Sequence, residues 1–434
     1  MKNYLLSIFF PMMLLIPIGS AGQIIDHTID KLAEKYADKH KNRALVIGVI
    51  SGEKTEVKGY GHVSRVQDFK PDEHTIFEIG SVSGVFTTTL LMLETQKGSF
   101  RLDDRITDFL PEDIYMPAFQ PFTCHMEETS GLVATGHERM RMICEPDPDQ
   151  MPVSISFCDL ASHTSGLPNT PRGFYTWNPL QWLSKHSKDP YSDFSREELY
   201  NNLYRYVLSV PPGSFFQYSE AGMSLLGNIL TDYNHTSYNE LLSSRLLGPL
   251  GMYDTGIEVP INKATRFAAG HDRKGRITDH WHYDAMAPAA GLRSTAGDLL
   301  RLLRANLDLD NNAIGDALAQ VQQPRIDVPK HKTGRETMGG YGWFISILSE
   351  ETNLPVNWIN GGTGGFRSFV AFNRDRNIGI VILSNSANAV DKMGFKILEH
   401  LVQRKDQKFV IESILEKDLE IGDMPEIYFM PLRS

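Results

Sequence analysis

The stretch Phe77-Glu78-Ile79-Gly80-Ser81-Val82-Ser83-Gly84-Val85-Phe86-Thr87-Thr88-Thr89-Leu90 decides how the rest of the chain is read. It runs from a short strand or loop into Ser81. A helix then follows, whose apolar positions Val82, Phe86, Leu90 and Leu93 recur at helical spacing up to a stop at Gly98. A serine is thereby placed at a helix N-terminus, where free N–H groups and the positive end of the helix dipole favour negative charge. Such a serine is either a helix N-cap or a nucleophile whose developing oxyanion meets its own backbone.

Upstream, Ile24, Ile25, Ile29, Leu32, Ala33 and Tyr36 make one apolar stripe of a helix ending near Asn42. The runs Ala44–Ser51 and Thr55–Tyr60, joined by Gly52-Glu53-Lys54, read as a hairpin. Further upstream, Lys2, the apolar run Tyr4–Ile18 and Gly19-Ser20-Ala21 have the form of a cleaved export signal over residues 1–21. No later run reaches the roughly 18 apolar residues that a membrane helix needs. The mature protein is expected to be periplasmic or secreted, with no membrane span. A net charge of −10 argues against nucleic acid and anionic lipid as main partners.

Downstream, residues 112–153 show no steady period and read as a surface insertion. Cys124 and Cys144 lie within it and are candidates to close a loop, leaving Cys158 unpaired, although sequence does not fix the pairing. No C-x-x-C spacing supports a metal site, and the pair His280 and His282 is the only H-x-H candidate. Leu160–Pro168 reads as a short helix closed by a turn, with His163 in a local structural role. Phe174–Asp193 is aromatic-rich and a candidate cleft wall. Helical patterns cover Arg196–Leu208, the run after Tyr218 through Leu230, Ser237–Leu246 and Ala296–Leu307. Strand-like runs occupy Tyr341–Leu348, Phe366–Phe372 and Ile378–Ser384, and Met393–Arg404 is a helix. Residues 405–434 read as a tail of uncertain order. Strands and helices at both ends of the chain, with helices between, predict one sheet built from the two termini.

Three stations carry the chemistry: Ser81 at a helix start, Tyr218-Ser219-Glu220 before another helix, and Ile359-Asn360-Gly361-Gly362-Thr363-Gly364-Gly365-Phe366 between strand-like segments. With His163-Thr164-Ser165-Gly166-Leu167-Pro168 and Gly291-Leu292-Arg293-Ser294-Thr295, they resemble the serine β-lactamase and penicillin-binding protein superfamily, in its class C β-lactamase-like branch. The resemblance runs from about residue 25 to about residue 404. It implies an α/β (α+β) β-lactamase/transpeptidase-like fold: an antiparallel sheet from both chain ends, flanked by helices, with a mostly helical inserted region. The implied domain covers 22–404.

In that family the stations read S-x-x-K, Y-x-N and K-T-G or H-x-G. The lysine, one helical turn after the serine, takes its proton, and the tyrosine relays that proton to the leaving group. The third station supplies a cation and a backbone N–H that completes the oxyanion hole. The resemblance makes Ser81 and Tyr218 the catalytic candidates, and Ser81, Gly361, Gly362, Thr363 and Gly364 the oxyanion and substrate strand. It implies no metal and no organic cofactor. This chain carries Gly84 at the lysine position, Glu220 at the asparagine position and Ile359 at the lysine or histidine position of the third station.

A positioned general base contributes ~10²–10⁴-fold, and groups that act as a unit are not additive. Two readings follow. One is a catalytically silent relative, a pseudoenzyme that binds a small-molecule or peptide ligand of the cell wall, or a protein partner. The other is an altered serine esterase or peptidase, forming a Ser81 acyl-enzyme with Tyr218 as base. A lysine, histidine or arginine brought near Ser81 from elsewhere, such as His280 or His282, favours the second reading.

Overall fold

The computed structural model describes residues 23–40, 43–63, 70–129, 139–171, 189–192, 194–330, 334–349 and 353–420. The chain opens with α1 (His27–Lys39), capped by the Asp26 carboxylate, which accepts from the Thr28 and Ile29 N–H groups. The hairpin β1 (Leu45–Ser51) and β2 (Lys54–Tyr60) follows, then β3 (Ile76–Glu78) and α2 (Ser83–Gln96). The middle carries the ribbon β4 (Phe122–Thr129) and β5 (Arg139–Pro146). After it come α3 (Phe157–Ala161), α4 (Arg196–Leu203), α5 (Glu220–Asn234) and α6 (Tyr238–Leu242). Short pieces β6 (Gly270–His271), β7 (Ile277–Thr278), α7 (Ala287–Ala290) and β8 (Arg293–Thr295) lead to α8 (Ala296–Asp308) and α9 (Ala313–Val321). The chain then returns to the sheet as β9 (Ile326–Val328), β10 (Thr337–Gly339), β11 (Phe344–Ile347), β12 (Pro355–Gly362), β13 (Arg367–Asn373) and β14 (Ile378–Ser384), and ends on α10 (Asp391–Glu420).

The predicted sheet is present. Its eight antiparallel strands run β2-β1-β14-β13-β12-β11-β10-β9, so the N-terminal hairpin pairs with the last strand. Leu45 lies opposite Ser384 and Ser51 opposite Ile378. Both faces are covered, which is why β1 and β14 are continuous apolar runs. Val46, Ile50, Val381 and Leu383 pack into one core with α2, α5 and α8. Leu45, Ile47, Val49, Ile378, Ile380 and Ile382 pack into the other, under α1 and α10.

Several expectations need correction. Ser81 is not the first residue of the α-helix: it lies in a 3₁₀ turn, Gly80–Val82, that feeds α2 at Ser83. The third station falls only in part between strands: residues 363–366 link β12 to β13, while its first half is strand. Asn360, Gly361 and Gly362 are the last residues of β12, a strand concealed by its polar Asn357 and Asn360 and its glycines. The helix expected over Arg196–Leu208 stops at Leu203. The C-terminal helix does not end at Arg404 but continues to Glu420; residues 421–434 lie outside the described residues, as do 1–22 with the expected export signal. Within 112–153 the chain forms a two-stranded ribbon rather than irregular structure. Cys124 and Cys144 face each other across it in a disulfide, and Cys158 is free. Most of Phe174–Asp193, the expected cleft wall, lies outside the described residues.

Candidate functional site

Ser81 is held by backbone rather than by its neighbours' side chains. Gly80 has φ +53°, and a Cβ there would come within 2.5 Å of the Gly362 nitrogen. A Cβ on Gly361 would stand 1.9 Å from the Ile79 carbonyl oxygen. Only glycine lets β12 approach the turn this closely. Ser368 Oγ donates to the same Ile79 oxygen at 2.8 Å, and Ser83 Oγ donates to the Gly80 oxygen at 2.7 Å. β11 pairs with β12 only over residues 355–358, so the far half of β12 carries no strand on that side. Thr363 is buried just beyond the strand end, and Gly364 packs against the Trp281 indole.

Tyr218 arrives from the opposite wall, in the extended residues before α5. Its hydroxyl comes near that of Ser81 and both line one cleft, so the first two stations meet. The segment is clamped by His163, whose backbone at φ +57° is in the left-handed region that non-glycine residues rarely occupy. His163 O accepts from Gln217 N–H at 2.8 Å, and its Nδ1 accepts from Ser219 N–H at 3.2 Å. Its ring lies against the Tyr218 ring with centroids 4.2 Å apart. Burial pushes the imidazole down to about 4, so it is neutral.

Protonation around Tyr218 follows from burial. Desolvation first, and the Glu220 charge second, raise the Tyr218 phenol well above its ordinary range; the nearby Ser81 hydroxyl opposes them weakly. Tyr218 is thus held as a hydroxyl. Burial also raises Glu220, which accepts from the Tyr191 hydroxyl at 3.0 Å.

The space one helical turn after Ser81 is filled. A Cβ on Gly84 would find Met223 Cγ at 3.6 Å, Cε at 3.7 Å and Sδ at 3.9 Å. Met223 is 2% exposed, and its side chain is what a Cβ at position 84 would touch, at ordinary van der Waals distance. Neither histidine of the H-x-H pair comes to Ser81. His280 Nδ1 lies 3.2 Å from the buried Glu78 carboxylate, and His282 Nδ1 lies 2.6 Å from Asp189. The two engage different carboxylates, and the described residues contain no cluster of three or more potential metal ligands.

Ser81 and Tyr218 open onto a cleft of about 870 Å³. Phe215, Phe216, Phe344, Trp358 and Phe395 give it aromatic walls, and Val328 and Ile359 add aliphatic surface. Its polar lining is Asn169, Gln217, Asn360 and Asp391. No cation lines it among the described residues. Sequence reasoning did not single out Met223, Asp391 or the aromatic residues. Met223 was within reach, five residues past Tyr218 at the start of a helix facing the Ser81 helix. Asp391 was not, since only the turn of α10 onto β12 brings it in, where it accepts from Asn360 Nδ2 at 2.6 Å.

Known proteins share this fold. The β-lactamase family model matches residues 29–401. A β-lactamase from Lysobacter lactamgenus is 24% identical over 417 residues, covering 87% of this chain and 92% of that protein. The D-alanyl-D-alanine-carboxypeptidase/endopeptidase AmpH of Escherichia coli (strain K12) is 22% identical over 375 residues, covering 84% and 83%. Among solved structures, a class C β-lactamase from Rhodobacter sphaeroides matches with a TM-score of 0.66 at 20% identity, over 87% of this chain and 99% of that one. A β-lactamase/D-alanine carboxypeptidase from Pseudomonas syringae matches with a TM-score of 0.67 at 20% identity, over 88% and 99%. At such identities the structural likeness is one of fold.

Proposed function

This chain belongs to the β-lactamase family, a family of serine hydrolases, and from that premise we propose that it keeps the Ser81 cleft as a binding site and does not turn substrate over. The observation that carries this reading is the Met223 thioether beside Gly84. The resemblance implies a general base at position 84, where this chain has none, and the thioether packed beside it takes no proton from a serine. Tyr218 does not replace it, because a phenol raised by burial is a donor at neutral pH. Ile359 likewise supplies no charge for an anionic ligand.

What remains is a cleft suited to holding a ligand. Its apolar and aromatic walls surround a few fixed polar groups, the usual composition of a small-molecule or peptide site. The Cys124–Cys144 disulfide fits an oxidising compartment, in keeping with export by the 1–21 segment. Among the described residues no helix is long and apolar enough to cross a membrane. The meeting of Ser81 and Tyr218 in one cleft is the observation on the side of a second reading, a slow acyl-enzyme formed with Tyr218 as base.

Intact-mass analysis after exposure to a fluorescent penicillin and to a serine-directed phosphonate separates the two. The expected result is no added mass on the wild type. Gly84→Lys combined with Met223→Ala and Ile359→His, which empties the thioether's place and returns both cations, is expected to label. A stoichiometric wild-type adduct that disappears in Ser81→Ala would sink the proposal and establish the second reading.

A further inference from the structure

A second cavity, of about 710 Å³, shares no lining residue with the Ser81 cleft. Arg293, at the start of β8, is its most deeply buried charged lining residue, at 6% exposed. Directly across from Arg293 on β3 stands Glu78, a register that would ordinarily give an ion pair. Here the carboxylate is engaged elsewhere: Glu78 Oε1 accepts from Trp281 N–H at 2.9 Å and lies 3.2 Å from His280 Nδ1. Among the described residues the Arg293 side chain donates one hydrogen bond, from Nη2 to the Trp281 carbonyl at 2.7 Å, while Nε has no partner. It makes no ion pair with them either, although a buried guanidinium without a counter-charge is costly.

The exposed part of the lining has the opposite sign. Glu258 and Asp279 line the cavity at exposed positions, and neither makes an ion pair among the described residues. Asp189, the third acid of the lining, is taken up by His282: its Oδ1 accepts from the His282 backbone N–H at 2.9 Å and its Oδ2 lies 2.6 Å from Nδ1. Phe267 and Ile277 add apolar surface, and the Phe267 ring is stacked on that of His280 with centroids 3.7 Å apart. A simple anion drawn to Arg293 would meet two uncompensated carboxylates, and a simple cation drawn to those carboxylates would meet Arg293. A molecule that carries both charges answers both ends of the cavity.

We propose that this cavity binds a free α-amino acid, with its carboxylate on Arg293, its ammonium facing Glu258 and Asp279, and an apolar side chain against Phe267 and Ile277. The planar, forked donors of arginine match a carboxylate, and binding there would give the buried guanidinium the counter-charge that Glu78 does not supply. The site is separate from the Ser81 cleft, so it stands whether or not Ser81 turns substrate over.

Leucine is the probe. L- and D-leucine, 4-methylpentanoate, which lacks the ammonium, and 3-methylbutylamine, which lacks the carboxylate, are titrated calorimetrically at neutral pH. At least one leucine enantiomer is expected to bind about ten-fold tighter than either single-charge analogue. Arg293→Gln should weaken leucine by about ten-fold and remove its advantage over the amine. Glu258→Gln combined with Asp279→Asn should instead bring leucine and 4-methylpentanoate to similar affinities. Thermal unfolding shows whether each variant keeps its fold; the two acids are exposed, so the second variant decides the matter even if Arg293→Gln does not fold. Either analogue binding as tightly as leucine, a leucine affinity unchanged in folded Arg293→Gln, a leucine preference unchanged in the double variant, or no leucine binding at millimolar concentration overturns the proposal.

Discussion

The two walls of the cleft differ in what they are made of. The Ser81 wall is built from main chain: the Gly80 turn, the end of β12 and the carbonyl of Ile79 lie so close that any Cβ would collide. The Tyr218 wall is built from side chains, with the His163 ring against the phenol and the Glu220 charge acting on it. The departures from the pattern that the family resemblance implies are all of side chains: Gly84 on α2 and Ile359 on β12 beside Ser81, and Glu220 beside Tyr218, stand where a lysine, a lysine or histidine, and an asparagine are implied. Backbone-to-backbone packing tolerates almost no substitution, since one added carbon displaces two strands. Side-chain chemistry can be exchanged while the volume stays filled, as the thioether beside Gly84 illustrates.

The sharpest way to break this comparison is Gly361→Ala. Its Cβ would stand 1.9 Å from the Ile79 oxygen and 2.6 Å from Ser368 Oγ, so the turn and β12 must part. The expected loss is about 4 kcal/mol or more in urea denaturation, at the extreme of single substitutions. A loss below about 1 kcal/mol would show that the main-chain wall is softer than its packing implies.

The side-chain wall should instead respond to pH. His163 is neutral in the fold at about 4 and titrates near 6.5 when unfolded. Its folded value is depressed, so the unfolded chain binds the proton first. This contribution is full above pH 6.5 and is lost as pH falls toward 4. The loss is up to about 3 kcal/mol over that window. His163→Asn, which tolerates the left-handed backbone, should remove this part of the pH dependence; an identical dependence in both proteins would mean another group carries it.

The same division governs what the sequence disclosed. Ser81, Tyr218 and the glycine-rich station were legible because each sits at a punctuated element end. The sheet was legible because β1 and β14 are unbroken apolar runs. β12 was not, since Asn357, Asn360 and two glycines interrupt its period and only the close approach to Ile79 explains them. The β4–β5 ribbon was missed for a related reason: the disulfide and cross-strand pairs such as Met126 with Met142 hold it, not a buried face. Gly84 and Ile359 stood out as departures from the pattern, but Met223 became meaningful only when α5 was seen against α2.

The smallest effect sharpens the comparison at that contact. Gly84 has an ordinary helical backbone, and its absent Cβ would lie 3.6–3.9 Å from Met223, within van der Waals distance. Alanine therefore fits where a longer chain does not. Gly84→Ala should stabilise the protein by about 0.5–1 kcal/mol, through the entropy removed from the unfolded chain and the better helix former. Gly84→Lys alone should destabilise it, because the ammonium must displace the thioether or remain buried without a partner. Adding Met223→Ala should recover part of that loss. If alanine proved as disruptive as lysine, Met223 would not be what fills the space, and the side-chain wall would be as intolerant as the glycine wall facing it.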